Sequence, residues 1–388
     1  MKSMMRNKIF KDETELFFSN PRKDFLVRLI KIIWGIIVFM AGLVLGLSLN
    51  THFSRYFTSQ TELFFPSRIY TSSCELDPLN IKYFAKPCQL MHAMTDDELF
   101  WRASMVPKKE EYPLEKTPKV AFMFMIKGSL PFLPLWERFF KGHDKFYTIY
   151  VHSYPYYELN VSAGSPFYDR HIPSEKVKWG SIWMVDAQKR LMANALLDFS
   201  NEHFVLISES SIPVFSFPTV YDYLMKSSYS FVESFDENLP HGTDHYNDRM
   251  APDIMLSQWR KGSQWVELNR SLAVDIVAER KYYSIFKKYC NSACNPDEHY
   301  IPTYLNMFHG ASIANRSVMW ADWSRGGPHP ATYGGKDTTK DFIESIRNNG
   351  TICMYNAHPT SLCFLFATKF APDALEPLLK ISSAVMRF

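Results

Sequence analysis

Residues 295–306 read NPDEHYIPTYLN and place two adjacent carboxylates, Asp297 and Glu298, behind a proline and a close cysteine pair, Cys290 and Cys294. One chemistry open to such a carboxylate is to take a proton from a hydroxyl as that hydroxyl attacks an electrophilic carbon. The other reading is structural. Asn295 as N-cap, Pro296 at N1, Asp297 at N2 and Glu298 at N3 make a well-formed helix start, and acidic residues there suit the helix dipole. The two readings are compatible. A helix N-terminus favours the ionised carboxylate, which keeps a base ready while making it intrinsically weaker.

The elements that would hold these residues are legible upstream. KVAFMFMIK (119–127) and FYTIYVH (146–152) are continuous apolar runs, the pattern of strands buried on both faces. HFVLIS (203–208) reads as a third strand and SYSFVESF (228–235) as a fourth. Between them PLWERFFKG, MVDAQKRLMANALLDF (184–199) and FPTVYDYLMKS carry helical patterns. Strands alternating with helices predict an α/β domain with a mostly parallel sheet and helices on both faces. Ligands bind such sheets at the carboxyl ends of the strands. Here those ends are the polar stretches Lys127-Gly128, His152-Ser153 and Ser208-Glu209-Ser210. No G-x-G-x-x-G or Walker loop signals a dinucleotide or ATP site. No two aspartates stand two apart, so an Asp-x-Asp metal motif is absent. A net charge of +3, mixed along the chain, argues against a nucleic-acid surface.

The N-terminal part has a different character. Residues 32–49, IIWGIIVFMAGLVLGLSL, contain no charge and as a helix would span roughly 27 Å, enough for an early secretory membrane. Lys2, Arg6, Lys8, Lys11, Arg22, Lys23, Arg28 and Lys31 precede the run, while Arg55 and Arg68 follow it. The positive-inside rule therefore keeps residues 1–31 cytosolic and sends the remainder across, a type II arrangement. All six cysteines lie beyond the run, as disulfides in an oxidising lumen would. Fifteen pairings are open to six cysteines. Asn160, Asn269, Asn315 and Asn349 stand in Asn-x-Ser/Thr acceptor motifs for glycosylation. Residues 50–117, punctuated by proline, read as a stem with one short helix opened by the capping box Thr95–Glu98. The globular domain is expected over 118–388.

Five blocks in order, WGSIWMVDAQKRLMANALLDFSNEHFVLISESSIPVF, SQWRKGSQWVELNR, CNPDEHYIPTYLN, WADWSRGGPHP and CFLFATKF, strongly resemble the plant branch of the core-2/I-branching β-1,6-N-acetylglucosaminyltransferase family. The resemblance covers roughly residues 95–380. It implies a GT-A-like fold, a single-pass Golgi membrane protein with a lumenal catalytic domain, a UDP-sugar donor (N-acetylglucosamine in the family), a glycan or glycoprotein acceptor, and inversion without a metal ion or other cofactor. By position it makes Glu298 the general base and Lys369 a contact of the diphosphate. Animal members carry an arginine just before their Ile-Cys-x-Tyr block. Here that place holds Gly350, which leaves Arg347 or Arg325 as the second phosphate cation. Trp320 matches the first of an aromatic acceptor-binding pair whose second position holds Asp322. Arg260 and Lys261 border the acceptor cleft in the family, Glu209 at its strand end is placed to accept sugar hydroxyls, and His152 replaces an aspartate near the uridine. The departures at Gly350, Asp322 and His152 leave a second reading open, a catalytically silent lumenal protein that binds glycans or scaffolds other transferases.

Overall fold

The computed structural model describes residues 30–43, 45, 80–108, 112–113, 115–236, 245–290, 294–348 and 350–388. The chain divides into two units, Met1–Cys74 and Glu75–Phe388. In the first, residues 30–43 form helix α1 with exposed side chains. Positions 44 and 46–49 of the expected membrane span lie outside the described residues. Among the described residues no helix is long and apolar enough to cross a membrane.

The second unit opens with α2 (Ile81–Ala85) and α3 (Asp96–Ala103). The Thr95–Glu98 capping box forms in both directions. Residues in the segment expected as stem fold onto the domain: Arg190 grips Asp96 with two bonds of 2.7 Å, and His92 bonds Asn194 at 3.0 Å. The order then runs β1 (Lys119–Met125), α4 (Leu133–Phe140), β2 (Tyr147–His152), α5 (Ile182–Leu196), β3 (Asn201–Ser208), β4 (Ile212–Pro213) and α6 (Phe217–Met225). It continues with β5 (Glu267–Asn269), α7 (Arg270–Ala278), α8 (Lys281–Tyr289), α9 (Pro296–His309), β6 (Met319–Ala321) and α10 (Lys340–Arg347). The chain closes with β7 (Cys353–Tyr355), β8 (His358–Thr360), β9 (Phe366–Thr368) and α11 (Leu375–Ile381).

The central sheet has the order β2-β1-β3-β5, with β2, β1 and β3 parallel and β5 antiparallel. A smaller sheet runs β4-β9-β6, and β7 pairs with β8. The period of two explains why Val120–Met125 of β1 and Phe204–Ile207 of β3 are apolar at successive positions. Ala121, Met123, Met125, Phe204 and Leu206 enter one core, built with α5, α7 and α9. Val120, Phe122, Phe124, Val205 and Ile207 enter the other, built with α4, α6 and α11. Helices thus cover both faces, as the alternating pattern predicts. In the second core Phe122 meets Phe140 edge-on at 4.9 Å. The expected fourth strand differs. Residues 230–235 make only single bridges, Ser230 to Ile313, Phe231 to Glu267 and Phe235 to Lys261, because β5 already holds the edge of β3.

Cys290–Cys294 and Cys353–Cys363 are disulfides, and Cys88 is also disulfide-bonded. Of the acceptor motifs, Asn160 and Asn315 are exposed. The Asn269 side chain instead caps α7, accepting from Leu272 N at 3.0 Å. Asn349 lies outside the described residues.

Candidate active site

α9 begins as the sequence suggests, with Pro296 at N1, but its cap is of another kind. Asn295 sits in the left-handed region (φ 47°, ψ 67°) and makes no side-chain cap bond. A residue before proline avoids the right-handed helical region, and asparagine tolerates the left-handed one. Both cysteines of the preceding disulfide are buried, at 4% and 3% exposure, so the helix start is pinned to the core.

The two carboxylates then diverge. Asp297 is 3% exposed, and its Oδ1 has no hydrogen-bond partner. Burial, and then the adjacent Glu298 charge, push its carboxyl up to about 7. Glu298 is half-buried and therefore reachable. His299 is buried and stacked on Trp259 at 4.5 Å, and its Nδ1 donates to the Arg260 carbonyl at 2.9 Å. Desolvation lowers it to about 3, so it is a neutral packing residue.

The loop before β5 is wired to this helix start. Arg260 N donates to Thr303 Oγ1 at 3.0 Å, Lys261 bridges Phe235, and Gly262 N donates to the Glu298 carbonyl at 2.9 Å. Arg260 turns its guanidinium to the carbonyls of Ser257 and Trp259 and lies 3.8 Å from Asp236. Sequence reasoning missed Glu233. Its Oε2 accepts from Ser263 N at 3.1 Å, and burial raises its carboxyl. The available signal was a lone glutamate inside the apolar alternation of SYSFVESF.

β5 runs antiparallel to β3, so the residues before Glu267 extend past the carboxyl end of β3. The turn that follows β3 carries Glu209, which is half-buried. Ser210 in the same turn accepts from Phe370 N at 3.0 Å, and its hydroxyl lies 3.4 Å from that of Thr368. Lys369, half-buried, is thereby delivered by β9 to the same carboxyl-end corner. β6 lies parallel to β9 and brings Asp322 alongside. The Lys369 carbonyl accepts from Tyr333 N at 3.0 Å, and the Tyr333 hydroxyl donates to Asp322. That bond and two from Ser324 hold the Asp322 carboxyl down to about 2. Trp320 packs among aromatics, 5.9 Å from Tyr333 and 6.0 Å from Phe342. It is partly buried against the core and keeps part of its surface exposed.

The structure gathers Glu298, Arg260 and Lys261 in one group and Lys369, Glu209, Asp322 and Trp320 in a second, both at the carboxyl end of the sheet. It does not bring Arg347 there. Its guanidinium donates to the Val385 carbonyl and lies 4.3 Å from the Phe215 ring, beside the opposite end of β9. Arg325 is exposed and lies 5.6 Å from the ring of Tyr333, the residue whose N–H bonds the Lys369 carbonyl. His152 closes β2 at the same edge. It accepts from Glu175 N at 3.4 Å and is lowered to about 4 by burial. Among the described residues no group of three or more His, Cys, Asp or Glu side chains could hold a metal ion.

This arrangement can accept a proton at Glu298 and receive an anion at Lys369. A family model described as Core-2/I-Branching enzyme matches residues 120–347. The chain is 35% identical over 320 residues to a rice (Oryza sativa subsp. japonica) protein named Glycosyltransferase BC10, covering 70% of this chain and 79% of that one.

Proposed function

From a chain that belongs to the Core-2/I-branching enzyme family and is a glycosyltransferase, we infer an inverting transfer from a UDP-sugar, with UDP-N-acetylglucosamine the first candidate, to a glycan hydroxyl, with Glu298 as base. The acceptor oxygen attacks the anomeric carbon and loses its proton to Glu298. The bond to the nucleotide breaks on the opposite face, and its electrons leave with UDP. Diphosphate departs without needing a proton, so one carboxylate suffices, unlike the pair used by inverting hydrolases. The developing phosphate charge needs a fixed cation. Lys369 and Arg325 supply it in this reading, and no metal is assigned a role. Arg347 is left out because its guanidinium is occupied elsewhere.

What supports the proposal is that two chain segments each extend to the carboxyl end of β3. One is the Glu298 helix start, joined to the Arg260–Gly262 loop; the other is the Thr368–Lys369 strand end, joined to Ser210. In this reading Arg260 and Lys261 border the acceptor side, and Glu209, in the turn after β3, serves the donor sugar. The uncharged run 32–49 and the basic residues before it support a Golgi signal-anchor with the domain in the lumen, where Asn160 and Asn315 are the exposed glycosylation candidates.

Thermal shift of the purified protein against a panel of nucleotide sugars tests the donor assignment. The cognate donor at a hundredfold excess over its dissociation constant adds about 2.7 kcal/mol of stability. Hydrolysis of that donor separates an enzyme from a silent glycan-binding scaffold, which would bind without turnover. A panel in which no UDP-sugar shifts the transition would overturn the reading.

A further inference from the structure

A cavity of about 670 Å³ opens at the other end of the sheet from Lys369. Its wall includes the first residue of β1 (Lys119), the start of β2 (Tyr147–Tyr150) and the end of α5 with the turn after it (Asn194, Leu197 and Asp198). The strands separate it by about 20 Å from the carboxyl-end site. It therefore serves neither the diphosphate nor Glu298. A volume of this size accommodates a small organic ligand.

The charges on its wall are arranged in an uncommon way. Lys86, Lys119, Lys141 and Arg170 all line it. Lys119 lies 3.6 Å from Asp198, while Lys86, Lys141 and Arg170 have no ion-pair partner among the described residues. Lys86 and Arg170 are close enough to Lys119 that, after desolvation, their charges help depress its ammonium. Like charges held together around a hollow favour an anion between them. The same wall carries Glu137, which accepts from Ser165 Oγ at 2.6 Å, and Asp144, which accepts from the Tyr147 hydroxyl at 3.2 Å. Those carboxylates would repel a compact phosphate dianion. They retain lone pairs for ligand hydroxyls.

Cations for a carboxylate and carboxylates for hydroxyls, set round one cavity, match a sugar that bears both groups. We propose that this cavity is a non-catalytic binding site for a uronic-acid-bearing saccharide, with Arg170 and Lys86 taking the ligand carboxylate and Glu137 and Asp144 accepting its hydroxyls. Such a site would hold an acidic glycan at a distance from the transfer centre. It goes beyond the transferase reading and does not depend on the identity of the donor.

Calorimetric titration of the detergent-solubilised full chain with trigalacturonic acid, cellotriose and inorganic phosphate tests it. Arg170 and Lys86 are exposed, so Arg170→Gln combined with Lys86→Gln leaves the core intact. The expected result is trigalacturonate binding that the double variant weakens at least tenfold and Lys369→Ala leaves within twofold. Cellotriose binds at least tenfold more weakly, and phosphate does not compete. Donor turnover of the double variant stays within twofold of the unsubstituted protein, which keeps this test separate from that of the transferase reading. Absence of trigalacturonate binding, equal binding by the double variant, loss of binding in Lys369→Ala, or displacement by phosphate would each overturn the assignment.

Discussion

Gly262 and Glu298 are joined backbone to backbone, the Gly262 N–H donating to the Glu298 carbonyl at 2.9 Å. The same glycine lets the extended segment bearing Glu233 approach. A Cβ on residue 262 would stand 2.0 Å from the Glu233 carbonyl oxygen and 2.9 Å from Pro302 Cγ. Three chain segments therefore meet at one position that tolerates no side chain.

Gly262→Ala should separate these segments. A displacement near 1 Å at a reacting group costs on the order of a hundredfold in rate. Steady-state transfer kinetics should show kcat falling by about that factor, with a lower Tm. Unchanged kcat would mean that the Gly262 contact does not position Glu298.

Asp297 and Glu298 should separate by pH. The Asp297 carboxyl is raised to about 7 by burial and by the Glu298 charge, against roughly 3.9 in an unfolded chain. Between pH 4 and 7 the folded protein holds a proton that the unfolded chain has lost, so stability from this group is present below pH 4 and falls as pH rises towards 7. Asp297→Asn should therefore gain stability relative to the unsubstituted protein at pH 7.5, by roughly 1–3 kcal/mol, and little at pH 4. Denaturant melts at the two pH values check this. An equal difference at both would contradict the buried, protonated state.

Lys189 offers a second titration of opposite sense. It is 2% exposed, its Nζ donates to the Glu279 carbonyl at 2.8 Å, and it sits over the rings of Phe100, Tyr283 and Tyr300. Burial lowers its ammonium to about 8. From pH 8 to about 10 the unfolded chain binds the extra proton, so this residue makes stability rise with pH. Lys189→Met should remove that rise and be neutral or stabilising near pH 7. The comparison is the difference in unfolding free energy between the two proteins from pH 7 to 10. A constant difference would refute the assignment.

The Cys290–Cys294 disulfide closes a short loop, for which chain entropy predicts a stabilisation of about 2 kcal/mol. Its larger effect should be on geometry, since it fixes the chain just before Asn295. Replacing both cysteines by alanine should lower kcat at least tenfold while changing Tm by only a few degrees. A melt without an activity loss would show that α9 is positioned from its other contacts.

Much of the fold could be read from residue patterns, because the governing forces are local or periodic. The middles of β1 and β3, Val120–Met125 and Phe204–Ile207, are apolar without a break since helices cover both faces of the sheet, and the Thr95–Glu98 box needs only neighbours in sequence. The site was legible in part. Glu298 stood out by its motif, yet nothing local reveals that Asp297 beside it is buried with its Oδ1 unpartnered. That depends on the disulfide and on the left-handed Asn295, which turn the helix start into the core. Arg347 looked available because its occupants, the Val385 carbonyl and the Phe215 ring, are distant in sequence. Glu233 was hidden for the same reason: its partner Ser263 is distant in sequence.

The role of Glu298 is tested most directly by transfer kinetics and UDP binding of Glu298→Gln measured on the same preparation. General-base catalysis contributes on the order of 10²–10⁴ in rate. The predicted result is a loss of turnover in that range, with the UDP dissociation constant and Tm unchanged. Turnover within threefold of the unsubstituted protein would contradict the account.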